Sequence, residues 1–433
     1  MAQPEPTDST VCDTLISTLP WPQNLQSRLD TLTAERLFNR TQLGLMVYDL
    51  TADSVLYVHG ASQQLRPAST MKLVTSITAL SLLGGDYQFR TQLFLQGRME
   101  GRTMLGNLIC VGGMDPLFDD NDLSAFVESI RRSEIDTVCG RLVADHSFKD
   151  DDQLGEGWCW DDDNPVLTPL LLNRKNNFME LFGKRLKEAG IVLVDSAVAQ
   201  MPNKILLCSR FHSIDEVLST MMKNSNNLFA ESMFYQIGAS GGTRKATAKN
   251  AAACIQQLLT RLGQPAETYR IADGSGLSLY NYVTPEMEVR LLRYAWRTPE
   301  ILGHLLPSLP IAGIDGTLKS RMQGTVAAGN VKAKTGTVTG VSSLAGYLTT
   351  ENGHELCFSI INQGIMSSAL GRNFQDRVCE ALCAPSVVPT IKVLPVPRRT
   401  VSRAKQTVSR SKRTVSKSRK KTTRRKTRSR RRR

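Results

Sequence analysis

The stretch RPASTMKLVT, residues 66–75, places Ser69 three positions ahead of Lys72, at the start of an apolar run that reaches Leu83. An i,i+3 spacing sets both side chains on one face of a helix. A hydroxyl at a helix N-terminus meets free N–H groups and a dipole that favour developing negative charge. A partly buried lysine near another cation can lose its proton near neutral pH and then serve as a base. Two readings follow: a nucleophile with its base, or two ordinary polar residues opening a helix. Spacing alone does not choose between them, because Ser-x-x-Lys recurs at Ser402–Lys405, Ser409–Lys412 and Ser418–Lys421. Those three copies are by-products of a basic C-terminal composition. The first copy differs in its setting, after a hairpin pattern and at the opening of an apolar helix.

Outward from that stretch, QLGLMVYDLTADSVLYVHG (residues 42–60) reads as a β-hairpin, two alternating apolar runs around a turn at Thr51 to Ser54. A helix carrying Leu25, Leu29 and Leu32 precedes it, and Gly84 and Gly85 end the helix that follows. Residues 90–208 read differently, as short strands, Gly-Gly and Asp-Pro turns, and the Trp-rich acidic loop GWCWDDDNP. From about 212 helices return, including SIDEVLSTMMKNSNNLFAESMFYQIG and the alanine-rich stretch 246–262. VKAKTGTVTGVSSLAGYLTTENGHELCFSIIN then gives three strand-like segments, the last turn being Asn352-Gly353, and a closing helix follows. Strands at both ends of the chain imply one sheet built from both. The expected organisation is a discontinuous unit of residues 1–88 and 209–386, an insertion at 89–208 and a tail at 387–433.

The 433 residues carry a net charge of +14, but that figure hides two regions. From residue 391 onward there are 20 Lys plus Arg and no acidic residue, which leaves 34 basic against 40 acidic groups before it. The tail has a loose TVSRxK repeat, no apolar periodicity and too little burial to offset its ordering entropy, so disorder is expected. No window approaches the roughly 20 apolar residues of a membrane span. The N-terminus MAQPEPTDSTVCD has neither the basic nor the apolar region of a signal peptide. That leaves a cytoplasmic protein or one whose leader has been replaced. Nine scattered cysteines without a CxxC, and five isolated histidines, argue against a disulfide framework or a metal site. Cys379 and Cys383, one helical turn apart, read as buried thiols. No cofactor is expected.

Two further stretches favour the catalytic reading of Ser69. KNSNNLFAE supplies Ser225 and Asn227 in or at the edge of a helix. VKAKTGTVTG supplies Lys334, Thr335, Gly336 and Thr337 on a strand-like run, where Gly336 would let a ligand approach the backbone and the cation and hydroxyls would receive a carboxylate. Each has an ordinary structural reading alone. Together, in the order Ser-x-x-Lys, Ser-x-Asn, Lys-Thr-Gly, they are hard to obtain by chance.

The three motifs resemble those of the penicillin-recognising serine acyltransferases. More narrowly, the chain is similar to class C low-molecular-mass penicillin-binding proteins, the D-alanyl-D-alanine carboxypeptidase/endopeptidase family. GGMDPLF (112–118), GWCWDD (157–162), ADGSGLSLYNYVTP (272–285) and LPIAGIDGTL (309–318) extend the resemblance over roughly residues 40–380. It implies an α+β fold: a β-lactamase/transpeptidase-like domain with an antiparallel sheet flanked by helices, plus a strand-rich insertion. It implies peptidoglycan stem peptides as substrate, β-lactams as covalent inhibitors and a periplasmic or cell-envelope location. It also implies roles. Ser69 attacks the penultimate D-Ala carbonyl and Lys72 accepts its proton. Ser225 passes a proton to the leaving amine, and Asn227 bonds the substrate amide and Lys72. The N–H groups of Ser69 and Thr337 form the oxyanion hole. Lys334, Thr335 and Thr337 hold the terminal carboxylate, and Asp162 pairs with the free amino group of diaminopimelate; against this stand the readings that Asp161–Asp163 is a solvated acidic loop and that any of the three adjacent aspartates could be the partner.

The departures are Asn226 where Asp is usual, a first-to-second motif interval of 156 positions that is short for the family, and the basic tail. NRKNNFMELFGKRLKEAG crosses the place where relatives carry a third, nested β-domain, so that domain is expected to be missing or reduced. Two other functions fit parts of the chain. A serine β-lactamase shares the motifs, although the long insertion argues against it. A binder of anionic polymer or of a membrane surface would act through the tail, whose lack of aromatic residues argues against specific nucleic-acid recognition.

Overall fold

In the computed structural model, which describes residues 19–161, 163–196, 204–242 and 245–386, the apolar alternation at 42–59 forms the expected hairpin. Strand β1 (Gln42–Asp49) pairs antiparallel with β2 (Ser54–His59). On its other side β1 pairs antiparallel with β11 (Glu355–Gln363), register Leu45 to Ile360. Next come β10 (Val341–Thr349) and the edge strand β9 (Lys332–Val338), for an order β2-β1-β11-β10-β9. Both ends of the chain therefore meet in one antiparallel sheet. Its centre is apolar on both faces, since β10 and β11 are buried along almost their whole length.

One face is covered by α1 (Gln23–Thr33) and the C-terminal α10 (Ser368–Cys383), with Leu25, Leu29, Phe374 and Val378 set against Leu344 and Phe358. Cys379 and Cys383 lie buried in this layer as free thiols. The opposite face packs on α2 (Met71–Leu83) and on α8 (Pro285–Trp296). Ten consecutive residues of α2, Met71 to Leu80, are buried. A helix apolar all round belongs inside a core, and α2 lies between the sheet and a helical layer. That layer comprises α5 (Ile214–Lys223), α6 (Asn227–Ser240), α7 (Ala248–Arg261) and α9 (Pro299–Ser308).

Residues 88–213 build a second, mixed sheet. It contains β3 (Gln88–Glu100), β4 (Thr103–Val111), β5 (Thr137–Cys139), β6 (Leu142–Asp145), β7 (Val192–Val194) and β8 (Ile205–Ser213). The sequence reads here as strand-rich, and the structure adds helices to those strands. Two helices, α3 (Asp120–Arg132) and α4 (Phe178–Glu188), cover one face through Phe126, Ile130, Phe178 and Phe182. The signal in the sequence was Asp119, whose side chain and Asp122 form a reciprocal capping box at the start of α3. Parallel β4–β5 and β5–β7 pairs need such crossovers. β3 follows α2 directly and β8 leads directly into α5. This sheet therefore interrupts the chain between the first two motifs. The basic tail and Asp162 lie outside the described residues. Among the described residues, no helix is long and apolar enough to cross a membrane.

Candidate active site

Ser69 sits on a single 3-10 turn, Ala68–Thr70, that runs straight into α2. Ala68 before it adopts φ 50°, a left-handed conformation that is unfavourable for a residue with a Cβ. This turn aims the Ser69 hydroxyl across the helix start, and Lys72, one turn later, lies beneath it. Nζ of Lys72 donates to Ser69 Oγ at 2.9 Å, to Asn227 Oδ1 at 2.8 Å and to the Ser275 carbonyl at 2.7 Å. Lys72 is fully buried. Burial pulls its pKa down to about 8, while Asp273 and, to a lesser extent, Glu231 oppose the shift. At that value a neutral amine is accessible near physiological pH. It would keep two N–H bonds, to Asn227 and Ser275, and turn its lone pair to Ser69.

The second motif lies in the break between α5 and α6, at the edge of the helical run. Ser225 has φ 54°. Asn226, at the position where the family usually has Asp, caps α6 by accepting from the Phe229 N–H. The substitution thus preserves the cap, because Asn and Asp serve it about equally well. Asn227, the first residue of α6, turns toward Lys72. Strand β9 closes the site from the other side. Lys334 Nζ donates to Ser225 Oγ at 2.8 Å and to the Thr335 carbonyl at 2.7 Å. Lys334 is also fully buried, and burial together with the neighbouring Lys72 charge holds its pKa well below that of an ordinary lysine. Ser69, Lys72, Asn227, Ser225 and Lys334 thus form two short chains of hydrogen bonds around one cleft.

Gly336 has a use within the protein besides the expected one. A Cβ there would lie 2.8 Å from the Pro67 carbonyl oxygen, 2.9 Å from the Ser69 nitrogen, and in collision with Ser343 Oγ. The glycine permits close approach of the strand to the turn that carries Ser69. Gly336→Ala is expected to force β9 off that turn and lower the acylation rate by about 100-fold; stopped-flow labelling with a fluorescent penicillin measures it. Retention of the wild-type rate would show that the strand absorbs the methyl group. Thr337, exposed beside the cleft, continues the strand opposite Ser342. Thr335 Oγ1 donates to Thr317 Oγ1 at 2.8 Å.

Several groups here carry no motif. Ser275 acts through a backbone carbonyl, which no side-chain pattern reveals. Glu231, buried in α6, accepts from the Ser275 and Gly274 N–H groups, and burial raises its pKa to about 8. Thr317 lies in the LPIAGIDGTL stretch, which pairs alongside the start of β9 through Ile311 and Lys332. That pairing covers the beginning of the strand edge.

Residues 25–170 and 171–383 match the model of the D-Ala-D-Ala carboxypeptidase 3 (S13) peptidase family. The chain belongs to that family. A D-alanyl-D-alanine carboxypeptidase from Actinomadura sp. is 27% identical to it, over 78% of this chain and 81% of the relative. Among solved structures, penicillin-binding protein 4 from Haemophilus influenzae has the same fold, with TM-score 0.71 and 22% identity, covering 82% of this chain and 99% of that one. A predatory endopeptidase from Bdellovibrio bacteriovorus, solved acylated by penicillin G in complex with its immunity protein, aligns with TM-score 0.50 and 16% identity over 78% and 91% of the two chains. As a member of the S13 family the chain is a serine-type D-Ala-D-Ala carboxypeptidase of the low-molecular-mass class C type.

Proposed function

We propose that this S13 peptidase trims or un-cross-links peptidoglycan stem peptides through an acyl-enzyme on Ser69. The observation that carries the reading is the pair of bonds from Lys72 Nζ to Ser69 Oγ and to Asn227 Oδ1. Neutral Lys72 takes the Ser69 proton as Oγ attacks the carbonyl carbon of the penultimate D-Ala. The oxyanion is held by the N–H groups of Ser69 and Thr337, a contribution typically worth about 3 kcal/mol. Ser225, linked to Lys334, relays a proton to the departing amine nitrogen as the C–N bond breaks. Asn227 orients the substrate amide, and Lys334, Thr335 and Thr337 face the terminal carboxylate. Water then attacks the ester and restores Ser69. β-Lactams would acylate the same oxygen, and the Bdellovibrio relative is acylated by penicillin G. Digesting purified cross-linked muropeptides with the enzyme and reading the products by mass spectrometry tests the activity. Release of neither D-Ala nor monomers would overturn it.

The lysine environment predicts a pH dependence. The reactive form is the neutral amine, present above the pKa, so acylation by a fluorescent penicillin should rise with pH through about 8. A flat profile between pH 6 and 9 would remove Lys72 from the role of base.

In this proposal residues 89–208 form an inserted domain whose acidic loop reads the stem peptide. Asp162 of that loop would pair with the free amino group of diaminopimelate. Asp162→Ala should lower turnover of a diaminopimelate-containing peptide about tenfold relative to a simple diacyl-D-Ala-D-Ala, as loss of one charged contact implies; equal losses on both substrates would exclude the pairing. The working location is the periplasm or cell envelope. There the basic tail would bind acidic polymers or lipid headgroups, with steep salt dependence. Wall binding that is unchanged after deletion of 391–433 would refute that partner.

A further inference from the structure

Lys72 is held from behind by a loop, residues 272–278, that none of the three motifs includes. The Ser275 carbonyl of this loop accepts from Lys72 Nζ, and its Gly274 carbonyl accepts from Thr75 Oγ1 at 2.7 Å. Gly276, at φ 79°, lies so close to the nucleophile turn that a Cβ would run into the Ala68 carbonyl. One loop thus touches both the lysine and the turn that presents Ser69.

The shape of that loop depends on Asp273, which is 1% exposed. Its Oδ1 accepts from the Gly276 N–H at 2.8 Å and from Asn281 Nδ2 at 2.7 Å. Its Oδ2 accepts from the Ser278 N–H at 2.6 Å and from Trp158 Nε1 at 2.9 Å. Four donors on two oxygens are the complement of a carboxylate. Three of them come from within eight residues of Asp273, whereas Trp158 is 115 positions away, in the segment between the first two motifs. That segment is tied down at two more points. Ser278 Oγ donates to the Glu156 carbonyl at 2.6 Å, and Arg270 pairs with the Glu156 carboxylate at 2.6 Å.

We propose that Asp273 is a positioning residue for the base of the reaction, and that Trp158 is the donor through which the segment between the first two motifs sets its effect. The proposal rests on the reading of Lys72 as that base. Geometrically, Asp273 shapes the loop whose Ser275 carbonyl aims Lys72 Nζ at Ser69. Electrostatically, it is a buried anion facing a buried amine, where the low local dielectric strengthens the interaction. The charged groups around Lys72 are Asp273, Glu231 and the like charge of Lys334. The N–H of Trp158 offsets part of the Asp273 charge, so its removal should make the ammonium form of Lys72 more stable.

The test is the pH profile of acylation by a fluorescent penicillin in the full chain. Trp158→Phe keeps an aromatic ring and removes the donor. Its acid limb is expected to move up by about half a pH unit, so that acylation is about threefold slower at pH 7 and equal to wild type well above the limb. If Trp158→Phe does not fold, the benzothienyl analogue of tryptophan at position 158 removes only the N–H. Asp273→Asn removes the anion and should move the limb the opposite way. A constant-factor loss at every pH, a limb that moves in the same direction in both variants, or an unmoved limb would overturn the proposal. A wild-type profile with no limb at all would instead sink the base reading, so the two failures are distinguishable.

Discussion

Ser69→Ala is expected to abolish both hydrolysis of D-Ala-D-Ala peptides and covalent labelling by fluorescent penicillin, with a loss on the order of 10⁴-fold or more. The oxygen that forms the acyl bond is gone, and no neighbouring group replaces it. Ser225 Oγ lies in the same cleft but is bonded to Lys334, and Lys72 contacts Ser69 instead. Stability should hardly change, since Ser69 is only partly buried and its hydroxyl accepts from Lys72. Gel fluorescence after incubation with the labelled penicillin, alongside a melting curve, reads both effects. A persistent covalent label on a folded Ser69→Ala protein would remove Ser69 from the nucleophile's role.

Lys72→Met should lower acylation by on the order of 10³-fold or more, because the proton of Ser69 then has no base within reach. It should also change stability in a way a bystander lysine would not. The pKa of Lys72 falls from 10.5 to about 8 on folding, so between those values the unfolded chain binds more protons than the native one. Stability therefore rises with pH across that window, and below it the buried ammonium costs on the order of 3 kcal/mol. Lys72→Met should lose this rise, at the expense of leaving Asn227 Oδ1 and the Ser275 carbonyl without their donor. Denaturant midpoints for both proteins from pH 7.5 to 10 measure it. Identical slopes would mean that the lysine is solvated, contrary to its burial. The pairing of a large activity loss with a relieved stability cost is the signature of a group buried for its chemistry.

Much of this architecture was legible in the sequence. The hairpin at 42–59, the three strands from 332 to 363 and the closing helix follow from apolar alternation and turn residues, which act over a few neighbours. Ser69, Lys72, Ser225, Asn227 and Lys334 stood out through motifs whose order in the chain survives folding. The helices α3 and α4 did not stand out, because their amphipathic stripes are interleaved with the turns of a mixed sheet. A second use of Gly336 was not legible for a related reason. Strand pattern shows that a glycine permits close approach, but what approaches is the turn at Pro67 and Ser69, more than 260 positions earlier.

Periodicity and motif order thus singled out the candidate catalytic residues and the kind of element on which each stands, since both are local properties of the chain. They could not specify the protonation of Lys72. That depends on complete burial, on the Ser275 carbonyl and on Asp273, groups about 200 positions away that converge on one nitrogen only after the sheet and helical layers close around it. A pKa is a sum over everything near a charge, and nearness is a property of the folded chain. RPASTMKLVT supplies the serine and the lysine; the loop at 272–278, held by Trp158 from the second sheet's segment, sets the conditions under which the lysine can act as a base.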